Sequence, residues 1–207
     1  MDFLTYIFRI PTVLIALTIH EVSHGYVSYL QGDNTAKNMG RLTLNPIKHL
    51  DLWGSIFMLI SGFGWAKPVP INPIYYKNLK KGTILTSVAG PLSNIILSVI
   101  SIFIVKLLSI WYSMVFVSFV CNFLLVFAQL NFFLGIFNLI PIPPLDGGKV
   151  LFAALPDKYY DLYLRYEQYG FIILIILVAL SVSSSMPISF TGWINQLFQF
   201  IFNAILE

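Results

Sequence analysis

Residues 84–108 read ILTSVAGPLSNIILSVISIFIVKLL, an apolar run whose one charged side chain is Lys106, close to its end. As a helix this run is roughly 37 Å long at ~1.5 Å per residue, more than the ~30 Å hydrocarbon core of a bilayer. Working outward, comparable stretches occupy Phe3 to Leu30, Trp111 to Leu139, Tyr169 to Ser181 with its flanks, and Phe190 to Leu206, which either spans or lies in the interface. The piece from Leu52 to Phe63 is too short to cross and reads as re-entrant or interfacial. Over all 207 residues, 57% are hydrophobic, 16% aromatic and only 10% charged, and the mean hydropathy is +0.81. A soluble domain, with about a quarter of its residues charged, is excluded. The expectation is an all-α membrane protein: a polytopic helical bundle of about five to six membrane segments, with a small re-entrant or β element after the first helix. Residues 1–207 are expected to form one domain, with no internal repeat of the kind an inverted-repeat transporter carries.

The net charge of +3 arises from 12 basic and 9 acidic residues, and the basic ones flank apolar runs, so they report topology and leave no nucleic-acid footprint. Lys37, Arg41, Lys48, Lys67, Lys77, Lys80 and Lys81 all fall between the first long segment and the one starting near Thr83. That region is expected to be cytoplasmic, with the N-terminus outside. Pro141 to Arg165 then returns to the cytoplasmic side, and Lys106, the exception, snorkels at a helix end. The first segment has no basic leader and no small-residue cleavage pattern, so it is read as a retained helix in the cell membrane. Cys121, alone in an apolar run, permits neither a disulfide nor a cysteine metal site.

Chemistry enters with His20-Glu21-Val22-Ser23-His24, an HExxH motif near the inner end of the first segment. Ionisable groups at such depth are costly and mark function. On a helix, His20 and His24 lie one turn apart on one face, able to take two corners of a zinc tetrahedron, with Glu21 beside the metal as a proton acceptor. A zinc site needs a third protein ligand. The remaining histidine is His49, and among the acidic residues Asp146 stands out. It ends the run Asn138-Leu139-Ile140-Pro141-Ile142-Pro143-Pro144-Leu145-Asp146-Gly147-Gly148, where three prolines stop a membrane helix and two glycines permit a sharp turn. The topology puts Asp146 and HExxH at the same depth. Asn138 is a candidate for hydrogen bonding a developing oxyanion or for an inter-helix contact.

These residues resemble the site-2 protease family of intramembrane zinc metalloproteases. Gly32-Asp33, Thr35-Ala36-Lys37, Gly40 to Pro46, Gly64 to Pro70 and Ala89-Gly90-Pro91 look like its small subgroup without PDZ or CBS domains. The resemblance implies Zn2+ on His20, His24 and Asp146, with Glu21 as base and Asn138 assisting. It also implies hydrolysis of a peptide bond in or near the transmembrane helix of a membrane-protein substrate, while the basic residues put the active site toward the cytoplasm. One departure is Leu52-Trp53-Gly54, where a proline is expected after Asp51.

Around the re-entrant piece, Arg41 to Asn45 alternates and Lys67 to Pro73 is extended by its prolines, so both are expected to be edge strands or polyproline-like and able to pair with an unwound substrate. Gly90-Pro91 is read as a kink or close-packing site, Asn94 as serving helix packing in preference to substrate positioning, and His49 and Asp51 as solvated loop residues. Two rivals share these residues: a non-catalytic module holding zinc or a partner helix, and a metal-ion transporter. Both predict that Glu21→Gln changes little.

Overall fold

The computed structural model describes residues 3–51, 54, 66–156, 169–170 and 190–206. The expected re-entrant piece and most of the Tyr169 to Ser181 segment lie outside the described residues. Six α-helices are described: α1 (Phe3–Leu30), the single turn α2 (Thr35–Asn38), α3 (Leu79–Leu108), α4 (Val115–Asn138), α5 (Asp146–Ala154) and α6 (Phe190–Leu206). Among the described residues two stretches are long and apolar enough to cross a membrane, Leu79–Trp111 and Val115–Asn138. The first begins four residues before Thr83, because Asn78 caps it by accepting a hydrogen bond from Lys81 N–H.

α3 is the central helix, packed against α1, α4, α5 and α6. Its buried positions include Gly82, Thr86, Gly90, Asn94, Ser98 and Ile102, a row at intervals of four in which all but the last are small or polar. Small residues let membrane helices approach closely, since lipid offers no hydrophobic drive between them. α1 answers with its own row at intervals of four: Thr12, Ala16, His20, His24 and Ser28 are all buried. On the other side Gly135 of α4 packs so near that an added Cβ would stand 2.7 Å from Ile95 Cγ1 and 2.9 Å from Pro91 O. An apolar core forms where Ile102 of α3 meets Ala128 and Phe132 of α4 and Ile194 and Phe198 of α6.

Lys106, expected to snorkel, donates from Nζ to Ile205 O at the end of α6. A cation there meets both the unsatisfied carbonyls and the negative end of the helix dipole. Cys121 is buried, as its apolar run implied.

The expected β element is reduced, among the described residues, to one antiparallel bridge between Leu50 and Ala66, supported by Lys67 N–H donating to His49 O at 2.8 Å. Neither Arg41 to Asn45 nor Lys67 to Asn72 is a strand. Pro68 and Pro70 remove donors that a ladder needs, and Arg41 Nη2 takes Lys67 O and Pro68 O as acceptors at 2.9 and 3.2 Å.

His49 is corrected: instead of standing in solvent it is buried, with Nε2 donating to Thr43 O at 2.8 Å.

The α3–α4 approach yields a direct expectation. Gly135→Ala lowers the unfolding transition in detergent by an amount equivalent to about 1–3 kcal/mol of overpacking, whereas Val115→Ala, at an 86% exposed position, leaves it unchanged. Thermal unfolding followed by circular dichroism distinguishes them.

Candidate metal centre

The two histidines of HExxH come to the same wall because α1 is an uninterrupted helix there, one turn separating them. Asp146 arrives from far along the chain. α4 ends at Asn138, three residues short of Pro141, and the chain then makes successive turns before Asp146 opens α5. Gly147 and Gly148 are required by space: a Cβ on Gly147 would lie 2.2 Å from Leu139 O, and one on Gly148 2.9 Å from Pro143 N. Only side-chain-free residues let α5 start against the end of α4, and that start carries Asp146 onto the histidines.

The three side chains meet. His20 Nε2 is 3.0 Å from His24 Nε2, and Asp146 Oδ2 lies 3.2 Å from the first and 3.0 Å from the second. All three residues are buried. The other ring nitrogens are already used. His20 Nδ1 donates to Asn94 Oδ1 at 2.6 Å, and His24 Nδ1 donates to Thr86 O at 2.7 Å. With Nδ1 protonated, the neutral rings turn bare Nε2 lone pairs toward each other and toward a carboxylate oxygen. Three acceptors in contact repel unless a proton or a cation is shared among them.

The donor set fits a divalent metal. The triangle of 3.0, 3.0 and 3.2 Å is close to the roughly 3.3 Å separation of two ligands each ~2.0 Å from a tetrahedral zinc. The orienting partners on Nδ1 are those a metal-bound imidazole commonly has. Among the described residues this is the one such cluster of histidine, cysteine and carboxylate groups.

Glu21 stands beside this triangle, not in it. Its Oε2 accepts from Val69 N–H at 2.8 Å, so the segment after the bridge holds the carboxylate in place. Glu21, Asn138 and the three donors all line one cavity of about 440 Å³, with Val69, Ile71, Tyr76 and Lys149 on other parts of its wall. Lys149 Nζ reaches the outer oxygen, Asp146 Oδ1, at 3.2 Å. Asn138 donates from Nδ2 to Leu134 O at 2.9 Å, which leaves one N–H of its amide for another acceptor.

Asn94 and Gly90, for which packing is the preferred or an open reading of the sequence, both touch the imidazoles. Asn94 is wholly buried and bridges three helices. Its Oδ1 takes the His20 proton, while Nδ2 donates to Ala16 O at 3.2 Å and to Asn131 Oδ1 at 2.7 Å. Asn131, which sequence reasoning passed over, donates in turn to Phe127 O. Two buried asparagines in apolar helices were the available signal, since an amide at that depth must find partners. Gly90 is a close-packing site against the imidazoles themselves: a Cβ there would be 2.4 Å from His24 Nε2 and 2.7 Å from His20 Nε2.

Gly90→Ala is therefore expected to displace the imidazoles and weaken metal binding at least about tenfold, the lower end of what disturbing a ligand's support costs. Competition with a chromophoric chelator measures it; affinity equal to the parent would contradict the packing.

Comparison with known proteins agrees with this chemistry. Residues 104–181 match the family model described as Peptidase family M50. The YwhC protein of Bacillus subtilis (strain 168), whose name assigns it provisionally to the zinc metalloproteases, is 39% identical over 96% of this chain and 94% of its own length. The Rip2 protein of Mycolicibacterium smegmatis, named in the same way, is 28% identical over 80% of this chain and 64% of its own. Zinc metalloprotease MJ0392 of Methanocaldococcus jannaschii is 26% identical, covering 71% of this chain but 34% of its own length. No solved structure gives a significant match. Near-full-length similarity to YwhC, together with the family match and three metal-fitting donors, shows that this chain is a membrane zinc metalloprotease belonging to peptidase family M50.

Proposed function

We propose that the chain, as one catalytic unit over residues 1–207, is an intramembrane endopeptidase of the site-2 protease type. In this reading it cuts a peptide bond in or near the transmembrane helix of a membrane-protein substrate. The observation that carries the reading is that one cavity holds both the metal-fitting triangle and a carboxylate outside it. Metal storage or transport has no use for Glu21; hydrolysis does.

His20, His24 and Asp146 are the zinc ligands in this proposal. Bound there, zinc supplies a Lewis acid for the scissile carbonyl and lowers the pKa of water to about 7. Glu21 takes the proton that the attacking water loses and delivers it to the leaving amine as the C–N bond breaks, so one water is consumed and one acid and one amine are formed. Val69 N–H keeps the Glu21 carboxylate oriented toward the cavity. The amide of Asn138 donates to the oxyanion as charge develops, using the N–H not committed to Leu134 O.

A helical substrate must be unwound first, since its backbone groups are satisfied internally. Residues 68–73 contain three prolines. Of the remaining amides, Val69 N–H serves Glu21 and Asn72 N–H serves Asp33 at 2.7 Å. Ile71 N–H is left, on a residue that lines the cavity. We assign it to pairing with the extended substrate, strand-edge fashion.

The basic residues orient the chain. Lys80 and Lys81 sit in the first turn of α3, and Lys37 and Arg41 follow the end of α1. These are the helix ends nearest the site, so the active site faces the cytoplasm by the positive-inside rule. Further membrane segments, to make about five or six, complete the proposed bundle.

Purified protein in detergent, tested with a generic transmembrane substrate, decides the reading. Wild type and Glu21→Gln both carry about one zinc, and cleavage falls at least about 10²-fold in the variant, the scale of lost general-base catalysis. Equal rates in the two would remove Glu21 from the chemistry, while zinc flux into vesicles without cleavage would favour a transporter.

Ile71→Pro, which removes one N–H, slows cleavage of a helical substrate about tenfold, the equivalent of one hydrogen bond. Zinc content stays the same.

A further inference from the structure

Asp33 is a carboxylate with no exposed surface, placed just beyond the end of α1. Gly32, at φ +109, turns the chain so that Asp33 folds back beneath Ser28, with Asp33 N–H donating to Ser28 O at 3.1 Å. Part of its bonding is local. Oδ1 accepts from the backbone N–H and the hydroxyl of Thr35, an Asx turn leading into α2. A turn of that kind has no need of the other oxygen, or of burial.

Oδ2 reaches in two other directions. It accepts from Ser28 Oγ at 2.8 Å and from Asn72 N–H at 2.7 Å. Since Ser28 spends its one hydroxyl proton on Asp33, the 2.9 Å contact between Ser28 Oγ and Tyr76 OH must have Tyr76 as donor. Tyr76 spends its proton there, so across 3.1 Å it accepts from Thr86 Oγ1. The donor order is thus set by the carboxylate: Thr86 to Tyr76 to Ser28 to Asp33. Thr86 is also the residue whose carbonyl holds His24 Nδ1. Ser28, Tyr76 and Thr86 are all buried.

The second direction runs to the segment that holds Glu21. Asn72 is tied to Asp33, and three residues earlier Val69 N–H is tied to Glu21 Oε2. Burial opposes the ionised form of Asp33, but the bonds from Asn72, Thr35 and Ser28 outweigh it and hold the carboxyl below the usual carboxylate range. An acceptor-only group is what the donor order requires.

We propose that Asp33 is a positioning residue that braces the metal ligand and the general base together: one arm runs through Ser28, Tyr76 and Thr86 to His24, the other through Asn72 to the segment holding Glu21. The inference rests on the proteolytic reading above. It explains why a carboxylate remote from the zinc is buried with four donors converging on it. Asparagine at this position keeps the shape, but one of its two terminal atoms becomes a donor facing other donors.

The test uses the full chain in detergent and compares wild type, Asp33→Asn and Tyr76→Phe. Zinc affinity by chelator competition, the visible spectrum of the cobalt-substituted protein, and kcat and KM at saturating zinc are measured. Asp33→Asn is expected to weaken zinc binding about tenfold, near the lower end of effects from groups supporting metal ligands. It also shifts the cobalt bands and, with zinc saturating, lowers kcat with KM little changed. Tyr76→Phe cuts only the first arm, so it reproduces the zinc and cobalt effects with a smaller fall in kcat. Parental zinc affinity and an unshifted cobalt spectrum in both variants would overturn the proposal, even if their unfolding temperatures fell. If Asp33→Asn does not fold, Tyr76→Phe decides alone, and parental affinity in it overturns the brace. A wild-type protein that binds zinc without cleaving, beside variants that lose zinc affinity, would sink the proteolytic reading and leave the arm to His24 standing.

Discussion

Two imidazole nitrogens and a carboxylate oxygen are held 3.0 to 3.2 Å apart in a buried site, an arrangement that repels itself unless positive charge is shared among them. Such a cluster cannot form from local preference, because each group lowers its own energy by moving away from the others or out to water. The surrounding structure must hold it. Much of the polar bonding inside this bundle does so: Asn94 takes the proton of one imidazole, Thr86 that of the other, and Lys149 meets the outer oxygen of Asp146. The same low-dielectric setting that makes unpaired acceptors costly makes a bound dication strongly held.

Holding the cluster demands close approach, and in a membrane close approach comes from small residues. Gly90 admits the imidazole edges, Gly135 admits α3, and Gly147 and Gly148 admit the end of α4. Each occupies a place where a methyl group would collide with a ligand ring or with backbone. These glycines serve contact distance, and among the described residues it is Gly32 and Gly40 that have the positive φ favouring glycine for conformational reasons. The small and polar positions of α1 and α3 make the site, while Ile102, Phe132 and Phe198 make an apolar cluster among α3, α4 and α6.

The segment between the bridge at Ala66 and the start of α3 links the site to its surroundings. Its prolines prevent a regular ladder, and its few amides are distributed among Glu21, Asp33 and the cavity. That division of donors is why the absence of strands here, among the described residues, does not make the segment loose. Arg41 holds two of its carbonyls from outside, while Val69 reaches inward to the base.

Much of this was legible in the residues alone. The apolar runs marked the long helices, and HExxH put two imidazoles on one wall because a helix places positions four apart on one face. The prolines before Asp146 announced that the helix must stop near the same depth. What the chain order did not carry was distance across helices. Asn94 was read as packing, yet its oxygen holds His20; His49 was read as solvated, yet it is buried; Asn131 and Tyr76 drew no notice at all. A hydrogen bond between α1 and α3 joins residues 74 positions apart and leaves no periodic trace. The sequence by itself determined the apolar, helical character of the chain and the one-turn spacing of His20 and His24, because those follow from composition and local spacing. Which neighbours orient the donors, and how near they stand, was decided only by tertiary packing, because those partners meet through space and not along the chain.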